Sequence, residues 1–186
     1  MDLTRDLVEE KAAEYAEEEP LFMVEAQELE GLPSALAAGE YGRRDVEWVI
    51  QWFYRRYLGE YPDRSRRDGE SAYRENDFEA VRDAIADAIE ADNSREAVHA
   101  LTGLSGVDVA VASAVLQFVD PERFVVLGPH EWAALVEAGA LDRPYPDDPD
   151  VDDYGTYLDA CRSAAERLDC DMVTLQRALW RLSRSR

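Results

Sequence analysis

Residues 101–135, LTGLSGVDVAVASAVLQFVDPERFVVLGPHEWAAL, decide the fold. A helix ends at a hairpin bearing Gly106, and Asp108 is suited to cap the next helix. That helix, 109–118, is apolar almost throughout, with Ala112, Val115, Leu116 and Val119 as its expected buried set. A connection broken by Pro121 leads to a further helix opening near Gly128-Pro129-His130. The one β-branched run, 124–127 (FVVL), is too short to make a sheet, so the class expected is all-α.

Outward from this stretch the chain reads as successive helices. Residues 4–19 form an acidic helical arm with Thr4 as N-cap and a thin apolar stripe, which suggests loose docking. Residues 21–30 form a helix closed by Gly31, and 33–39 a short separate one. Asp45 caps a helix to about Leu58, with Val46, Val49, Ile50, Phe53 and Tyr57 as a core stripe. Trp48 and Trp52 lie on its neighbouring face, packing on another helix or forming a stacking platform. Residues 59–77 are polar, contain Gly59, Pro62 and Gly69, and read as a loop. Asn76 caps a helix to about Ala91, and Asn93 or Ser94 caps one to about Leu101. The segment 141–153, with three Pro and six Asp, reads as a solvated loop without an EF-hand pattern. Two helices follow, 154–168 and, after Asp171, 172–183. The organisation expected is an arm, 1–19, and one helical domain, 20–186, with the hairpin unit at 95–118.

The 186 residues and 46% apolar composition, with four Trp, are enough for a sizeable core. No 18-residue apolar run is present, so no membrane span is expected, and the acidic N-terminus does not read as a signal peptide. Cys161 and Cys170 form no disulfide framework and no ligand cluster; no metal or cofactor is expected, and a reduced cytoplasm is the default location. Acids number 41 against 20 Lys+Arg, for a net charge of −21, and the only lysine is Lys11. Such a balance suits a partner with a basic surface or a salt-rich cytosol, where salt screens self-repulsion. The abundance of Asp, Glu, Ala and Val with almost no Lys resembles the haloarchaeal style, and that reading is preferred.

Against this background residues 43–74 carry eight Arg and six acids. Arg64, Arg66 and Arg67 are therefore candidates to face nucleic-acid phosphate, with internal ion pairing as the plain structural reading. The C-terminal Arg177, Arg181, Arg184 and Arg186 suit a helix C-terminus or a second such patch.

The segment Leu104, Ser105, Gly106, Val107, Asp108 resembles the helix-hairpin-helix motif, with Asp108 where a second Gly is usual. The resemblance extends downstream to the helix-hairpin-helix DNA glycosylases, and most closely to uncharacterised prokaryotic members sharing the "ASAVL…P-ER-F" core and a C-terminal "RALW" helix. It implies a glycosylase-like bundle of about 8 to 10 helices and duplex DNA as partner, with Ser105, Gly106, Val107 and Asp108 at a phosphate and His130 at the family's His place. The family's catalytic Asp falls on Gly128 and the lyase Lys on Ala110, so a Schiff base has no amine and water no carboxylate at the expected positions. Glu131 and Asp120 are the only substitutes weighed; otherwise no catalytic residue is assigned. Three functions stay open: a non-catalytic nucleic-acid-binding protein, a structural or protein-interaction protein that kept only the fold, and a monofunctional DNA glycosylase with a relocated carboxylate.

Overall fold

The structure is a computed structural model describing residues 1–57, 60 and 62–184. Among these residues it contains ten helices and no strand: α1 (Arg5–Glu18), α2 (Phe22–Ala38), α3 (Arg43–Arg56), α4 (Asp63–Arg74), α5 (Phe78–Glu90), α6 (Ser94–Thr102), α7 (Val109–Val119), α8 (Pro129–Glu137), α9 (Val151–Leu168) and α10 (Met172–Arg184). The all-α class holds. The expected helix end at Leu58, the loop start at Gly59 and the terminal Arg186 lie outside the described residues.

Helix starts follow local chemistry. Thr4, Asn93, Asp108, Asp150 and Asp171 each accept a hydrogen bond from the backbone N–H three residues on. Two caps differ from expectation. Asp77, not Asn76, caps α5. Asp45 stands inside α3 and accepts from the Gly42 N–H at 2.7 Å.

α7 is the central helix. Residues 110–118 are all buried, and α2, α3, α5, α6 and α9 pack around it. Trp48 and Trp52 meet its Phe118 edge-on, at 5.4 and 5.0 Å between ring centroids, so they are core packing and not an open platform. Beside α7 runs the buried extended segment 124–127, whose backbone groups need partners in a dry core. Side chains supply them. Gln117 Oε1 accepts from Val126 N–H at 2.9 Å and Ser113 Oγ from Leu127 N–H at 2.7 Å. From α9, Tyr154 and Tyr157 donate to the carbonyls of Val125 and Val126 at 3.2 and 2.9 Å.

Three expectations need correction. The helices expected at 21–30 and 33–39 are one helix, α2, running through Gly31 and Pro33. An internal proline costs about 3 kcal/mol. Leu32 and Leu36, buried one turn apart across Pro33, return roughly 1.5–3 kcal/mol each. Residues 63–74, expected within a loop, form α4; its inner face consists of Glu70 and Tyr73 with Gly69 between helices, not an aliphatic stripe. The expected loose arm is instead docked: α1 lies along α10 with Leu3, Val8 and Tyr15 buried. Arg181 of α10 reaches Glu14, Glu18 and Glu19, Arg167 donates to the Leu3 carbonyl at 3.1 Å, and the terminal ammonium donates to the Glu137 carbonyl at 2.7 Å.

Candidate functional site

The α6–α7 turn, residues 103–108, is where a phosphate grip was expected. Gly106 adopts φ +74°, a left-handed conformation that favours glycine. It is covered rather than open. A Cβ there would stand 2.6 Å from the Gly69 carbonyl oxygen and 2.7 Å from the Tyr73 nitrogen, both on α4. Asn76, just past α4, clamps the neighbouring residue: its Oδ1 accepts from Ser105 N–H and its Nδ2 donates to Ser105 C=O, each at 2.9 Å. Asp108 caps α7 through Val111 N–H at 2.8 Å. Val107 is buried in the core and bonds back to the Leu104 carbonyl. One amide of the turn and one in the first turn of α7 are thus held by side-chain oxygens of this chain, the second by a carboxylate that repels an incoming anion.

The arginines divide. Arg66 is partly buried and reaches Glu70 at 3.1 Å. Arg64 is exposed, with Asp68 at 3.7 Å, and exposed Arg67 donates to the Asp63 carbonyl. Arg74 binds Glu47 at 2.5 Å. At the other end, Arg177 binds Glu25, Arg181 the α1 acids and Arg184 Glu60. The C-terminal arginines that are described therefore tie α10 to the rest of the chain.

The structure does not bring His130 to the hairpin. Its Nε2 is 2.6 Å from Glu60 Oε2 and its Nδ1 3.3 Å from Ser183 Oγ, while its ring lies beside Tyr57 and Trp180. Asp120 is the C-cap of α7 and accepts from Glu122 and Arg123 N–H groups, organising a turn.

Glu131 is fully buried. Its Oε1 accepts from Arg56 Nη2 and, at 2.7 Å, from Gln176 Nε2. Its Oε2 has no hydrogen-bond partner among the described residues and lies 2.5 Å from where a Cβ on Gly128 would stand. The carboxylate therefore occupies the space of the side chain Gly128 lacks, but sealed and ion-paired. Arg56, 2% exposed, is held in an aromatic cage, its guanidinium carbon 4.2 Å from the Trp180 ring centroid, 4.9 Å from Trp52 and 5.7 Å from Tyr57. Burial is the largest influence and lowers its pKa; the attraction and hydrogen bond of Glu131, together with Tyr57 and Tyr15, outweigh it and hold the pKa above the usual value. A second buried carboxylate, Glu25, accepts from Tyr15 Oη at 2.5 Å and Arg177 Nε at 2.9 Å. Burial first, and Glu25 second, push the Tyr15 hydroxyl well above its ordinary pKa.

Sequence reasoning missed Arg56, Gln176, the clamp on Ser105 made by Asn76, which it read as a helix cap, and the Ser113–Gln117 pair. Only the last had a signal, two polar residues four apart in an otherwise apolar helix. Among the described residues no three His, Cys, Asp or Glu gather as for a metal, and no helix is long and apolar enough to cross a membrane. Comparison of the chain with protein-family models, with curated proteins and with solved structures gives no match.

Proposed function

We propose that the chain is a non-catalytic scaffold or protein-interaction protein in which the helix-hairpin-helix-like segment serves packing. One observation carries this reading: the groups that would grip a phosphate or activate water are already bonded within the chain. Ser105 N–H is held by Asn76, Val111 N–H by Asp108, and the Glu131 carboxylate by Arg56 and Gln176. A general base must come within hydrogen-bond distance of the proton it abstracts, and a carboxylate with no exposed surface does not do so. The test is base release from a panel of damaged duplexes together with duplex binding at several salt concentrations, with the fold monitored at each. No release, and no binding gained by Asp108→Gly while that variant loses about 1 kcal/mol of stability for the missing cap, is expected. Base release abolished by Glu131→Gln would overturn the proposal in favour of the enzyme.

A second reading, weak sequence-independent contact with duplex DNA, is favoured by the exposure of Arg64 and Arg67 on α4, which packs on the hairpin turn. Binding at low salt that Arg64→Ala and Arg67→Ala remove would establish it.

A further inference from the structure

Two shallow grooves flank the exposed face of α5. The first, about 370 Å³, lies between α5 and the C-terminal turn of α2. Leu36, Tyr41, Ala86 and Ile89 give it apolar surface, with Asp83 and Glu90 of α5 beside them. The second, about 400 Å³, lies between α5 and α6 and is lined by Asp87, Glu90, Glu96 and His99 with Ala91 and Ala100. Glu90 borders both, so the two meet across the C-terminal half of α5.

The fold leaves the charges here unanswered. The carboxylates of Asp83, Asp87, Glu90 and Glu96 are exposed and make no ion pair or hydrogen bond with the described residues. Asp83 and Asp87 stand four apart on one helix, a like-charge spacing that weakens it. The arginines of α5 and α6 are engaged elsewhere. Arg82, which also borders the first groove, donates to the Gly39 carbonyl at 3.3 Å and lies over the Tyr41 and Phe78 rings. Arg95 pairs with Asp152 of α9. The end of α2 lies at the first groove, so the negative pole of its dipole adds to the same sign. The acids of α1 are different: Glu14, Glu18 and Glu19 all reach Arg181.

We infer that these grooves dock a basic segment of a partner protein, one that carries Arg or Lys beside apolar residues. The inference rests on the reading of the chain as a protein-interaction protein and names the chemistry of its partner. Sign decides the occupant. This face repels a nucleic acid or an anionic membrane surface, and a second copy brings a net charge of −21 of its own. A long basic side chain matches both features of the first groove. Its aliphatic stem lies on Leu36, Tyr41 and Ile89 while its head reaches Asp83, Glu90 and the end of α2. The 13 residues of α5 span about 20 Å, room for one such side chain in each groove.

The experiment uses the full chain labelled with ¹⁵N, at the lowest salt that keeps it folded. The probe is the peptide acetyl-Arg-Leu-Arg-Leu-Arg-amide, and its twin with citrulline for arginine is the uncharged counterpart. The arginine peptide is expected to shift the amides of Ala38, Ala86 and Ile89 saturably at sub-millimolar concentration. The twin is expected to bind about tenfold more weakly for want of charge. Asp83→Asn with Glu90→Gln is expected to weaken the arginine peptide about fivefold. Ala86→Arg puts a basic side chain of the chain's own into the first groove and is expected to abolish binding; Ala86 is exposed on its helix, so the fold persists. Asp147→Asn with Asp148→Asn removes as much charge from the exposed loop 141–153 and is expected to leave binding unchanged. No saturable shift, equal binding of the citrulline twin, undiminished binding by folded Ala86→Arg protein, or an equal loss in the Asp147 and Asp148 variant would each overturn the inference. Concentration-dependent shifts of the same amides without peptide would give the grooves to a second copy and overturn it too. The base-release and duplex measurements test the broader reading separately, so the two can fail independently.

Discussion

Glu131 Oε2 lies 2.5 Å from the position of a Cβ on Gly128, and Tyr57 Oη is nearer still. The Gly128 backbone, at φ −151° and ψ 156°, is open to any residue, so glycine is required there by space and not by torsion. Gly128→Ala is expected to cost about 1–3 kcal/mol by forcing Glu131 or Tyr57 aside. Gly128→Asp is expected to cost more, since it adds a second buried carboxylate beside Glu131, and to give no base release. Urea denaturation at fixed salt measures both; an alanine variant as stable as the parent would show that the space is not filled as described.

The Arg56–Glu131 pair gives the second prediction. Removing one partner leaves the other charge buried and alone, a loss of about 3–5 kcal/mol. Arg56→Met and Glu131→Leu are each expected to fall in that range. The double variant is expected to recover part of the loss, because both charges leave the core together. Additive losses in the double-mutant cycle would mean that the two side chains are not coupled.

The same pair shows what the sequence could and could not disclose. Helix existence was legible because caps and apolar periodicity are local: Thr4, Asn93, Asp108 and Asp171 stand where their helices begin. The merger across Pro33 was not, because burial of Leu32 and Leu36 is a tertiary effect. Nor was α4, whose Gly69 looks like a loop residue until Tyr54 is seen to lie against it. For the site, Gly128 and Glu131 were noticed together. Their relation depends on Arg56 and Gln176, 75 and 45 residues from Glu131, and no spacing rule reaches that far. The arginines show the limit from the other side: a cluster of charge is visible in sequence, but its pairing with Glu47, Glu70 and Glu25 is not.

The hairpin is expected to depend on its glycine and its amide clamp. Asn76→Ala frees the Ser105 amide and carbonyl at an exposed turn, so water replaces part of what is lost and about 1 kcal/mol is expected. Gly106→Ala meets both a positive φ and the α4 backbone, which has no flexible end to yield. Its loss is expected to exceed that of Asn76→Ala and to be accompanied by faster amide exchange in α4. Protection of α4 unchanged in a folded Gly106→Ala protein would separate the helix from the turn.

Stability is expected to fall in alkali, and Cys161 accounts for part of the fall. Burial, above all, pushes its thiol from 9.0 up to about 12. Burial likewise raises the hydroxyls of Tyr154 and Tyr157. A raised pKa means that the folded state keeps its proton after the unfolded chain has released one. The stabilisation is therefore fully present below about pH 9 and is lost as pH climbs toward 12. At pH 10.5 the thiol alone accounts for about 2 kcal/mol, from 1.36 kcal/mol per unit of difference. Cys161→Ala removes this component and the smaller part of the tyrosine shifts that Cys161 causes, and leaves the part due to their burial. Unfolding free energies from urea denaturation at pH 8 and pH 10.5 are expected to separate less in the variant than in the parent, by about that amount. Parallel losses in the two proteins would mean that the thiol ionises as easily folded as unfolded, and that the α9 face against residues 124–127 is open to hydroxide.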